Sequence, residues 1–160
     1  MQGPDITMAA ALTIEELIAE EETIQLGGFD YELAWRLGCA IRETASVKSL
    51  PIAIEVSHHG TAVFTALLPG ASPDNLVWAR RKRAVVERFN RSSLCMRLLC
   101  ERNATDFHAR YRLPPADFAA SGGGVPVRVR NVGIAGTVAI SGLPDVEDHA
   151  MAMRALEKLA

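Results

Sequence analysis

The stretch Ser121-Gly-Gly-Gly-Val-Pro-Val-Arg-Val-Arg-Asn-Val-Gly-Ile-Ala-Gly-Thr-Val-Ala-Ile-Ser-Gly-Leu-Pro-Asp-Val-Glu-Asp-His149 decides the fold. Three glycines open it. Two runs rich in β-branched residues follow, Val125–Arg130 and Val132–Ser141, and turn at Arg130-Asn131. This pattern predicts an antiparallel hairpin. Asp145 is then expected to cap a final helix over Val146–Leu159, which carries His149 back towards the sheet. The triple glycine opens a strand, with no Gly-Lys-Ser/Thr after it, so it is neither a phosphate loop nor a dinucleotide fingerprint.

Working outward, Pro51–Val56 and Thr61–Leu68 read as a second hairpin, joined by Ser57-His58-His59-Gly60. A capping box, Thr13 with Glu16, starts a short acidic helix over Ile14–Glu22, and Gly27 and Gly28 stop it. A second helix spans Asp30–Ser46. Its wheel places Leu33, Leu37, Ala40, Ile41 and Ala45 inward, and Tyr31, Trp35, Cys39 and Arg42 outward. Ser72 and Pro73 begin a long helix that reaches Phe89. Asn90–Cys100 forms another after a fresh cap near Ser92, and Pro115–Ala120 forms one further helical turn. Residues 1–12 are expected to be disordered and 13–160 to form one domain. The predicted class is α/β in the α+β sense, an antiparallel sheet flanked by helices.

The 160 residues are 49% apolar and 22% charged, with a net charge of -2, which is an ordinary globular balance. Such a charge gives no global attraction to nucleic acid or anionic membranes. No run approaches the roughly 20 apolar residues of a membrane span, and no signal peptide is evident. Cys39, Cys95 and Cys100 have no metal-like spacing and read as reduced thiols of a cytoplasmic protein.

Two polar residues fall on apolar stripes. Lys82 lies among Trp78, Ala79, Val85, Val86 and Phe89 on the long helix, while Arg80, Arg83 and Glu87 point away. One reading pairs Lys82 with Glu55 of the neighbouring hairpin. The other makes Lys82, with Arg81 and Trp78, a site for a carboxylate or phosphate. His149 shares the inward face of the last helix with Val146, Ala150, Met153, Leu156 and Ala160. It is either a hydrogen-bonded core residue or an axial ligand to haem iron. His58-His59 occupy a turn, His108 stands alone, and no spacing suggests a zinc site. The run Arg80-Arg81-Lys82-Arg83 is spread around the helix axis, which argues for a solvated face and against a nucleic-acid patch. Trp35 and Tyr31 suit either a partner contact or a second packing surface.

Four segments, Leu68-Pro-Gly-Ala-Ser-Pro-Asp-Asn-Leu-Val-Trp78, Arg81-Lys82, Ser121-Gly-Gly-Gly-Val-Pro-Val127 and Gly136–His149, resemble the GlcG/HbpS-like haem-binding superfamily. The closest branch is the small cytosolic uncharacterised protein family 0303. The resemblance covers most of residues 30 to 160. It implies a profilin-like sheet flanked by helices, homo-oligomeric assembly, and haem as a cofactor or ligand in some relatives.

Three functional readings follow. In the first, the chain is a homo-oligomeric binding protein for haem or another small anionic molecule. In the second, it is an adaptor without a small-molecule site, acting through a surface that includes Trp35 and Tyr31. In the third, it is an enzyme acting on haem or a small anionic metabolite. No recognisable triad surrounds Ser141, and no catalytic residue is assigned.

Overall fold

A computed structural model describes residues 12–160; the disorder expected for the first twelve residues lies outside these except at Leu12. The elements run α1 (Ile14–Thr23), α2 (Tyr31–Val47), β1 (Ala53–His58), β2 (Thr61–Leu67), α3 (Pro73–Phe89), α4 (Ser93–Arg102), α5 (Phe107–Tyr111), β3 (Gly124–Val129), β4 (Gly133–Ser141) and α6 (Asp145–Leu159). The four strands form one antiparallel sheet in the order β2-β1-β4-β3. Both expected hairpins are present, and they join through β1 and β4 at the centre.

Alternation along β1 separates two layers. Ile54 and Val56 face a core shared with Val138 and Ile140 of β4, Leu37 and Ile41 of α2, and Met153 and Leu156 of α6. Glu55 faces the other way, towards Arg80 and Arg83 of α3. Thus α2 and α6 cover one face and α3 covers the other. Gly124 lies where α3 comes closest: a Cβ there would meet the backbone carbonyl of Lys82 and a methyl of Val86.

Local chemistry explains most of the ends. Thr13 and Glu16 make the expected reciprocal cap. Asp30 caps α2 by accepting from the Leu33 amide. Ser92 caps α4 through the Cys95 amide, and its own N–H donates to the buried carboxylate of Glu21 on α1.

Several expectations need correction. The first helix ends at Thr23, before the glycines, because Leu26 leaves to bridge Val129 at the β3 edge. In α2 the buried row is Ala34, Leu37, Gly38, Ile41 and Ala45, and Ala40 is exposed. Gly38 belongs there because Phe64 occupies the space its side chain would need. Helix α5, capped by Asp106, adds an element between α4 and residues 115–120 that the sequence pattern does not predict. Residues 115–120 form a turn and not a helix. Asp145 is the first residue of α6, after Pro144, so it does not cap the helix.

Candidate functional site

Lys82 is 2% exposed and does not pair with Glu55. Its ammonium donates to Oδ2 of Asp148 at 3.1 Å and to the Ile140 carbonyl at 3.0 Å. The partner is fully buried and also accepts from the Leu143 amide through Oδ1. This contact crosses the sheet between layers, from α3 to α6, beside the glycine run. Gly123 leaves the passage open: a Cβ there would lie 2.9 Å from the Lys82 ammonium and 3.1 Å from the Asp148 Cβ. Burial pushes the Asp148 carboxyl up to about 6 and lowers the Lys82 pKa, while their mutual attraction opposes both shifts.

Glu55 has a different set of partners. It is fully buried and receives Arg80 at 3.2 Å, Arg83 at 2.7 Å and the Thr65 hydroxyl at 3.2 Å. Arg80 and Arg83 therefore lean onto the sheet instead of pointing away. Arg81 instead lies over the Trp78 ring, 4.2 Å from its centroid. Trp78 is 37% exposed, so it is not part of the buried stripe. The basic run thus divides among Glu55, Glu87, Trp78 and Asp148, and the structure does not bring Arg81 and Lys82 to a common point.

His149 is 2% exposed, and neither ring nitrogen has a hydrogen-bond partner among the described residues. Burial lowers its pKa to about 4, leaving the imidazole neutral at physiological pH. A neutral imidazole suits a metal ion. Its enclosure does not: no face of the ring is open to a porphyrin in this conformation, so haem iron does not fit at His149. The inward face of α6 is Asp148, His149, Met151, Ala152, Met153 and Leu156, whereas Val146 is half exposed. Asp148 was the residue that sequence reasoning missed. An acid in a first helical turn reads as a partner of the helix dipole, and only its i, i+4, i+8 row with Ala152 and Leu156 signals burial.

Tyr31 and Trp35 lie beside the β1–β2 hairpin, and His108 lies in α5. Tyr31 and Trp35 are 64% and 52% exposed; Trp35 packs edge-on against Phe64, and Tyr31 against His58. His58 donates to the Phe29 carbonyl, and His108 to the Leu113 carbonyl after α5. Among the described residues, no group of three or more His, Cys, Asp or Glu side chains is placed to hold a metal. No described helix is long and apolar enough to cross a membrane. Cys39 is exposed, Cys95 and Cys100 are buried, and all three are free.

A family model described as haem degrading protein HbpS-like matches residues 29–157. A UPF0303 protein of Edwardsiella ictaluri is 41% identical over 142 residues, covering 89% of this chain and 90% of that protein. The crystal structure of Ybr137w protein superposes with a TM-score of 0.84 at 30% identity, covering 93% of this chain and 88% of that one. A PduOC:heme complex superposes with a TM-score of 0.70 at 17% identity, covering 83% and 95%, and shares the fold.

Proposed function

Because this chain belongs to the HbpS-like family of haem-degrading proteins, we propose that it is a homo-oligomeric binding protein for haem or another small anionic molecule. The observation that carries assembly is the pair of uncovered aromatics, Tyr31 and Trp35, beside edge strand β2. Burying such rings against a partner is a strong source of association energy. Haem is supported by the family description and by the haem complex of PduOC.

The ligand does not sit at Lys82 and His149 in this conformation, because one is committed to Asp148 and the other is enclosed. Titration of the purified protein with haemin, followed at the Soret band, tests the reading. A saturable shift that persists in His149→Ala is expected. An absence of any saturable shift removes haem as the ligand.

The adaptor reading draws on the same Lys82–Asp148 closure, which leaves the assembly surface as the working part. It predicts unaltered assembly with no haemin binding, so the same titration separates it from a haem-binding protein.

A further inference from the structure

Outside the Lys82–Asp148 contact, α2 and α6 lie side by side over the sheet and leave a groove of about 320 Å³ between their C-terminal halves. That volume lies within the size range of small-molecule sites. The groove exists because small side chains, Ala40, Thr44 and Ala155, face one another across it. Its floor is apolar, formed by Ile41, Met151 and Leu159.

The rim is not electrically balanced. Lys48, Arg154 and Lys158 stand on it against the single carboxylate of Glu43. Among the described residues, none of the three cations is in an ion pair. Lys48 and Lys158, close to helix C-termini, are accounted for by the helix dipoles. Arg154 is not. It is in the interior of α6, exposed, over an apolar floor.

We infer that this groove takes an amphipathic carboxylate, with its apolar body on Met151 and Leu159 and its head group against Arg154, Lys48 and Lys158. The inference deepens the proposed binding function by giving it a place, and it rests on that reading only for the ligand's anionic character. Positive charge around an apolar cleft selects an anion with a hydrocarbon body over a neutral lipid or a fully polar anion.

The test uses the full chain and the anionic dye 1-anilinonaphthalene-8-sulfonate, displaced by octanoate or by octanol. Expected is saturable binding of one dye per chain, displaced by octanoate at concentrations at least tenfold below those needed for octanol. Arg154→Glu should weaken binding at least tenfold. Ala40→Trp fills the groove from an exposed helix position and should abolish it while circular dichroism stays unchanged. Trp35→Ala should leave dye affinity intact. Equal affinity in wild type, Arg154→Glu and Ala40→Trp would overturn the site, as would an absence of saturable binding. If Ala40→Trp dissociates the assembly and wild type binds no dye, a second copy fills the groove and the inference is wrong. Haemin binding retained in Ala40→Trp would overturn this site for haem and leave the binding function standing.

Discussion

Lys82 and Asp148 stand on helices that cover opposite faces of the sheet, and their side chains meet at 3.1 Å past the glycine run. The contact ties the two helical layers together at the end of the sheet where β3 begins and β4 ends. It also uses the ammonium that the sequence offered for a ligand.

A buried ion pair is costly to break and inexpensive to replace as a unit. Lys82→Met or Asp148→Leu alone should each lose about 3–5 kcal/mol, because the remaining charge is stranded. The double variant should recover most of that loss. Urea denaturation of the four proteins measures it, and simple additivity of the two losses would show that the pair is not the unit described here.

The acid response should come from two neighbours with opposite signs. His149 titrates near 4 in the fold against 6.5 unfolded, so its stabilising contribution is full above pH 6.5 and is lost as pH falls to about 4. Asp148 titrates near 6 against 3.8, so its contribution is full below pH 3.8 and is lost as pH rises through about 6. Between pH 6 and 4 the two slopes oppose each other. His149→Gln should therefore gain stability relative to wild type on going from pH 7 to pH 4.5, by a few kcal/mol at about 1.4 per pH unit. Parallel denaturation profiles for the two proteins would contradict this.

Gly123 has φ +134, and a Cβ there would run into the Ile140 carbonyl oxygen. Gly123→Ala should cost about 3 kcal/mol or more from backbone strain and overlap together. A thermal midpoint within error of wild type would show that the glycine run is not required for the passage.

Trp35→Glu places a charge on the uncovered face of α2 while leaving the row that includes Leu37 and Ile41 untouched. Light scattering coupled to size-exclusion chromatography should report a smaller species than wild type at equal concentration. Unchanged mass, or a monomeric wild type, would remove this face from any role in assembly.

Both hairpins and the long α3 were legible because each depends on local chemistry: strand alternation, a turn residue, a cap. The class of fold followed from them. Asp148 was not legible as the partner of Lys82, since the contact links positions 66 residues apart and depends on how α6 is rotated about its axis. The same rotation placed Val146 outside and left Asp145 free to hold Arg97 at 2.7 Å and the Gly122 amide at 2.9 Å. Helix α5 was hidden for a different reason: its five residues show less than two turns of periodicity, and its cap, Asp106, sits in a loop-like setting.

The strand order has a kinetic consequence. Each hairpin closes over a few residues, but the central β1–β4 pairing brings Ser57 beside Thr137, 80 positions away. The two hairpins can therefore form early and separately, and docking them across that span carries the loop-closure cost. A destabilising change in either hairpin's outer strand, already paired before docking, should therefore slow refolding and leave unfolding little changed. A Ser57 or Thr137 substitution should instead hasten unfolding to the extent that the central pairing forms after the barrier.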